Sequence, residues 1–385
     1  MALLLVAVLA GNARDAWQAI THHPVARASA LLFAALLVGL SYGNAPLQAG
    51  IDILGKYADL ALMPLFLIAL RDKATRVRAI QIFLVVMLIT SLISWMVGLR
   101  ILPASSWMWA GGIPDAFDNP AIFRSSITQN ILMAYAAYIF MLWARDTQVT
   151  FKRWLSLAAA LFTGTDVLFM VNGRTGYIVL LVLLLMFCWH EAKAWFGARG
   201  HRLDWRLPTA ALLLVPFLLW GVYHAAPRLQ DRVDLAVAEF YAWNPQVHTE
   251  TSIGARLEFY NNTLAIVAHH PLLGVGTGGF EAAYAQQVRD KDMPTTHNPH
   301  NEYLLIAVQV GLIGLLAMLY LFYNQWRYAA SLPTSYEQHA ARGLVLTLAI
   351  TCLFNSPLLD HTEGIFFAFM SALWFAHLGE ETSHA

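Results

Sequence analysis

The sequence is poor in charge and poorer still in cysteine. Of its 385 residues only 12% are Asp, Glu, Lys or Arg, about half the share of a soluble domain, which excludes an ordinary water-soluble globule. The 24 basic and 24 acidic residues cancel, so no net field gathers nucleic acid or another strongly charged partner. The two cysteines, Cys188 and Cys352, lie inside apolar runs, where a thiol reads as a small buried hydrophobe rather than half a disulfide or a metal ligand. Repeats of fixed period and low-complexity tracts are also missing, which excludes solenoids and disordered linkers.

What the chain has in plenty is apolar sequence: 58% hydrophobic residues and a mean hydropathy of +0.54. Apolar segments centre near residues 2–10, 28–42, 57–70, 79–99, 126–144, 154–171, 176–190, 208–224, 302–323, 343–356 and 364–378. Recurring at lengths that suit a bilayer about 30 Å thick, they predict an all-α, polytopic integral membrane protein. We expect about 11–12 transmembrane helices. The connections carry an orientation signal. Those at 11–27, 71–78, 145–153, 191–206 and 324–342 hold fifteen Lys and Arg, against four in 43–56, 100–125, 172–175 and 357–363. The first set is therefore expected to face the cytoplasm. "MALLLVAVLA" is too short to span alone and lacks the basic flank of a signal peptide, and reads as a partial first helix.

On this topology residues 1–226 form N-terminal transmembrane helices, 227–299 a large outer, periplasmic loop, and 300–385 C-terminal transmembrane helices. The loop is not filler. "RLQDRVDLAVAEFY" and "IGARLEFYNNTLAIVA" place apolar residues at helical spacing, and should lie over the membrane surface as a helical lid. "HHP" at His22–Pro24 and again at His269–Pro271 reads in both places as a helix end, with proline stopping the helix.

The chemistry-bearing residues gather where the loop meets the next apolar run, in "THNPHNEYLLIAVQVGLIGLL". Asn298 followed by Pro299 reads as an N-cap with proline at the first helical position, putting His300 in the first helical turn. There the helix dipole would disfavour imidazolium and keep the ring neutral, as a general base must be. An interfacial histidine that caps or solvates the helix end is the plainer alternative. His297 and His300 have the spacing of a metal pair, but the sequence places no third ligand nearby. Gly274, Gly276 and Gly279 match G-x-G-x-x-G without a preceding strand or a βαβ unit, so they read as a glycine-rich turn rather than a dinucleotide site.

Arginines on the outer side are the other candidates. Arg174, in "VNGRTG", stands before a helix start at membrane depth, where a charge is costly and usually functional; snorkelling to the interface is the alternative. Arg256 lies in the lid beside Glu258 and Tyr260, and a surface salt bridge would also explain it. Arg124 begins "FRSSITQNILMAYAAY", whose Ser125, Ser126, Thr128, Gln129 and Asn130 either line a polar pocket or supply caps. Asp59 and Asp166, within or near apolar runs, need partners. Asp360, His361 and Glu363 form a polar cluster in the last outer loop, where a short solvated turn would also place them.

A resemblance emerges from these residues. "HNEYLLIAVQVGLIG", with His300, Asn301, Gly311 and Gly314, resembles the motif of bacterial O-antigen ligases, members of a wider family with O-antigen polymerases and protein O-oligosaccharyltransferases. "NGRTGYIVLLVLLL" and "RLEFYNNTLAIVAHHPLLGVGTGGF" resemble further stretches of it. The resemblance implies a GT-C-like glycosyltransferase of the bacterial inner membrane, working at its periplasmic face without nucleotide sugar, metal or other cofactor. Its donor would be O-antigen on undecaprenyl diphosphate and its acceptor a sugar hydroxyl of lipid A-core. The motif histidine, His300, would be the base, with inversion at the anomeric carbon. Arg174, Arg256 and Arg124 would contact phosphate, Asn301 would orient by hydrogen bonding, and His297 and Tyr260 would border the substrate. This agrees with the chemistry: a polyprenyl diphosphate is already a good leaving group, so the enzyme needs a base and cations, and arginine binds phosphate bidentately. The rivals are a polymerase using the same donor and, from another class, a secondary transporter, against which no matching Gly or Pro breaks mark two inverted halves.

Overall fold

The computed structural model describes residues 21–43, 45–104, 108, 116–122, 125–198, 220–221, 223–224, 227–244, 250–291 and 293–379. The apolar runs at 2–10 and most of 208–224, like Arg124, lie outside the described residues. Helices account for the regular structure, with no strand among the described residues: α1 (Pro24–Gly39), α2 (Leu47–Lys56), α3 (Ala58–Ala69), α4 (Lys73–Gly98), α5 (Ser126–Asp146), α6 (Thr150–Phe169), α7 (Arg174–Ala198), α8 (Pro227–Ala242), α9 (Ser252–His269), α10 (Phe280–Gln287), α11 (Glu302–Ala329), α12 (Ser335–Phe354) and α13 (His361–Phe375).

Four described helices are long and apolar enough to cross a membrane: α4, α5, α7 over Arg174–Phe196, and α11. The protein is an all-α polytopic membrane protein. Only 28% of the apolar stretch of α7 is buried within the chain, against 83% for α5, so α7 turns most of its surface to lipid while α5 is packed by α6 and α7. On α4 the same preference leaves Ile82, Val85, Ile89 and Leu92 exposed at helical spacing, a stripe suited to lipid. Cys188 is exposed on α7, not buried as its apolar surroundings suggested, whereas Cys352 is buried.

Two local readings change. The chain at His22–Pro24 begins a helix instead of ending one: His23 caps α1, its ring Nδ1 accepting the Ala26 N–H at 3.3 Å while Nε2 donates to the Phe375 carbonyl at 2.9 Å. Proline is at home there, because the first helical N–H has no partner to lose. His269–Pro271 does end a helix, α9. The segment 43–56, read as a bare connection, contains the ten-residue α2, whose single buried residue is Gly50.

The described chain divides into two compact units, Met1–Ile80 with Glu239–Ala385, and Gln81–Ala238. In the first, α1 packs on α11, α3 on α13, and α9 and α12 on α11. Its most consequential feature is a break in α11, where Val310 (φ −131°) and Gly311 (φ +65°) leave the helical conformation. In an unbroken helix the Leu312 N–H would meet the Val308 carbonyl. Instead Leu312 donates to the Pro271 carbonyl at 2.9 Å, and the freed Val308 and Gln309 carbonyls accept the N–H groups of Val275 and Gly276 at 2.7 and 2.9 Å. The Gln309 side chain accepts the Gly278 N–H at 3.0 Å.

The glycine-rich segment 270–279 is thus a plug in the broken helix, and it also reaches α1, where Thr277 donates from N–H to Gly39 and from its hydroxyl to Leu36. Backbones meet so closely that a Cβ at Gly311 would lie 2.1 Å from the Leu272 carbonyl oxygen, and one at Gly274 2.3 Å from that of Val308. An unsatisfied backbone group at membrane depth costs several kcal/mol, so plug and break satisfy each other.

Candidate active site

The head of α11 lies in the first unit, and its cap differs from the sequence expectation. Asn301, not Asn298, is the N-cap: its side chain accepts the Leu304 N–H at 3.0 Å, and the helix begins at Glu302. His300 therefore precedes the helix rather than occupying its first turn. Its backbone is left-handed, φ +56°, an uncommon conformation for a residue with a side chain, which persists only when its surroundings hold it.

The holding groups are visible. Asn298 Oδ1 accepts the His300 N–H at 2.8 Å and the Ser356 hydroxyl at 2.8 Å. The Tyr260 hydroxyl stands 3.0 Å from the His300 carbonyl and 3.0 Å from that of Leu353, sharing one proton between them. Asn301 Nδ2 donates to the same Leu353 carbonyl at 3.1 Å. Behind them Glu302 is wholly buried, accepting the Tyr57 hydroxyl at 2.6 Å and the Leu358 N–H at 2.9 Å, while its own N–H donates to Asn355. The start of α11 is thereby tied to the turn after α12 and to the α2–α3 junction.

The ring of His300 is half-buried and lies over Phe259, centroids 6.2 Å apart and planes 28° apart. Burial, then the positive charge of Arg256, then His297, push its pKa down to about 4. The expected neutrality of the ring is present, but its causes are desolvation and cationic neighbours, not a position inside the helix dipole. Burial raises the Tyr260 hydroxyl, with Arg256 opposing, so the phenol stays a donor. The structure thus brings together His300, His297, Arg256, Tyr260 and Asn301. Arg256 is half-buried on α9 and His297 exposed.

Arg174 belongs to the second unit, half-buried as the first residue of α7; Arg124 lies outside the described residues. Among the described residues no three His, Cys, Asp or Glu side chains stand close enough to ligate one ion. Asp59 is paired with His361 at 3.5 Å, and Gly364 leaves room for it, a Cβ there falling 2.7 Å from Asp59 Oδ2. The partner is a histidine, where a buried arginine was one expectation. Asp360 caps α13 through the Thr362 N–H. Sequence reasoning missed Ser356, Phe259 and Tyr57. Phe259 was within reach, one residue from Tyr260, but Ser356 and Tyr57 meet the motif across 58 and 245 residues and leave no local signal.

With this geometry in place, comparison with known proteins is decisive for one stretch. Residues 157–319 match a family model described as "O-Antigen ligase". Over this segment the chain is similar to the O-antigen ligase family. The matched segment contains Arg174, Arg256, Tyr260, His297, His300, Asn301, Gly311 of the α11 break and Gly314 after it, and ends within α11. A protein of Haemophilus influenzae (strain ATCC 51907 / DSM 11121 / KW20 / Rd), named only as an uncharacterized protein, is 28% identical over 95 residues. That alignment spans 24% of this chain and 24% of the relative's length.

Proposed function

We propose that the protein transfers O-antigen glycan from undecaprenyl diphosphate to a sugar hydroxyl of lipid A-core at the periplasmic face of the bacterial inner membrane. The observation that carries the reading is a histidine kept neutral at the head of a membrane helix, with an arginine near enough to depress its pKa, inside an O-antigen ligase family segment. In the reaction the acceptor oxygen attacks the anomeric carbon, the bond from that carbon to the diphosphate oxygen breaks, and the diphosphate leaves with the electron pair. His300 takes the hydroxyl proton. Arg256, with Arg174 and Arg124 as further candidates, neutralises charge developing on the diphosphate. Direct attack inverts the anomeric centre.

The cation that depresses His300 suits this cycle. When a diphosphate arrives, its negative charge offsets that of Arg256, so the imidazole becomes more basic once the donor is bound. The test is transfer from undecaprenyl diphosphate to purified lipid A-core by purified protein, wild type beside His300→Ala, with a chelator present. Product from wild type and none from a folded variant supports a metal-independent ligase with His300 as base. Equal product from both removes that role, and elongation of a lipid-linked acceptor alone moves the protein to the polymerase branch.

A further inference from the structure

The polar residues at the start of α5 have no part in the scheme above, yet one is placed with unusual economy. Asn130 is completely buried. Its Nδ2 donates to the Val171 carbonyl at 2.8 Å and the Gly173 carbonyl at 3.4 Å, the two ends of the turn that delivers Arg174 to the first position of α7. Its Oδ1 has no hydrogen-bond partner among the described groups, so the amide's hydrogen bonding goes into that turn.

The turn is shaped to receive it. A Cβ at Gly173 would fall 2.6 Å from Asn130 Nδ2, and one at Gly176 2.4 Å from Asn130 Cβ. The glycines flanking Arg174 in "NGRTG" are therefore the space this side chain occupies. The turn is held on its other side as well: the Asn172 N–H donates to Asn119 Oδ1 at 2.9 Å, and Asn172 Nδ2 donates to the Asp118 carbonyl at 3.2 Å. Carbonyls of a turn at membrane depth need donors, and a buried asparagine on α5 supplies two bonds at the residues either side of Asn172.

We infer that Asn130 is the positioning residue for Arg174, fixing where the guanidinium enters the donor's diphosphate site. The inference rests on the proposed role of Arg174. Asn130 touches no substrate; it acts through the 171–173 turn, and Gly173 and Gly176 are part of the same device.

The test is a double-mutant cycle on the full-length protein in detergent, with Asn130→Ala, Arg174→Ala and the double variant assayed for transfer from undecaprenyl-diphosphate glycan. Asn130→Ala should raise the donor KM about tenfold, the size of a misplaced charge-assisted phosphate contact, with the acceptor KM and kcat changing much less. The double variant should match Arg174→Ala alone, because the two residues act through one contact. A general loss of packing would not give that coupling. If Arg174→Ala leaves donor KM unchanged, the diphosphate role of Arg174 falls and this inference with it. If Arg174→Ala raises it while Asn130→Ala does nothing or adds in full, the inference alone is overturned. Should Asn130→Ala fail to fold, Gly176→Ala reads the same coupling by pressing on Asn130 without touching the guanidinium: a raised donor KM not additive with Arg174→Ala supports positioning, and an unchanged one overturns it.

Discussion

At the scale of single residues the decisive quantity is the proton on His300. With a pKa pushed down to about 4 by burial, Arg256 and His297, the free enzyme carries a neutral imidazole throughout the neutral range. The kcat/KM for the donor reports the free enzyme's groups, so its acidic limb should fall near that value. Arg256→Gln removes a cation that disfavours imidazolium, so the limb should move to higher pH as overall activity drops. A limb that stays in place, or moves down, would dissociate Arg256 from the ring. A second residue-level expectation concerns the left-handed backbone. Asn298→Ala strands the His300 N–H and the Ser356 hydroxyl, and buried donors left unpaired cost about 1–3 kcal/mol. We expect a lower thermal midpoint in detergent and a fall in kcat with donor KM nearly unchanged; a kcat equal to wild type would show that the clamp is dispensable.

At the scale of elements the break in α11 makes glycines unequal. Gly311→Ala puts a Cβ 2.1 Å from the Leu272 carbonyl oxygen at φ +65° and ψ −160°, combining a clash between two backbones with strain of about 1–3 kcal/mol in a conformation open essentially to glycine alone. Gly164→Ala, in the middle of α6 with nothing within 4 Å, should be neutral or stabilise by up to about 1 kcal/mol through helix propensity. Thermal unfolding of the two variants side by side separates the cases, and equal midpoints would mean the plug does not hold the break. The same element shows what a sequence can and cannot disclose. The apolar run from Glu302 and the amphipathic patterns of α8 and α9 are local, so periodicity found them. The grouping of His300, Asn301, Gly311 and Gly314 was legible as a motif. The reason for its spacing was not, because Leu312 bonds to Pro271 and Val308 to Val275 across more than thirty residues, and no periodicity reports a hydrogen bond that a helix gives away. The cap was misplaced for a related reason: Asn298-Pro299 and Asn301 both carry helix-start chemistry, and the local bond of Asn298 to the His300 N–H together with its long-range bond to Ser356 decides between them.

At the scale of the whole molecule the proposed reaction has a geometric requirement: the loop 227–299 and the head of α11 must share the side on which the lipid-linked glycans meet. The excess of Lys and Arg in alternate connections predicts that side to face away from the cytoplasm, and the prediction can be read without any substrate. Cys188 is exposed and Cys352 buried, so Cys188→Ser gives a background with low labelling. In it, Glu281→Cys on α10 and Gln148→Cys between α5 and α6 each place one thiol at an exposed position. A membrane-impermeant maleimide applied to cells with a permeabilised outer membrane should label the first and spare the second. Disruption of the inner membrane should then expose the second as well. The reverse pattern would put His300 and Arg256 on the cytoplasmic side, where a periplasmic ligase cannot work. Labelling of both in intact inner membranes would break the alternation on which the crossing count rests. The positions test different links, since Glu281 follows the plug that holds α11 and Gln148 follows a helix buried within the other unit, so agreement between them would orient each unit independently of the other.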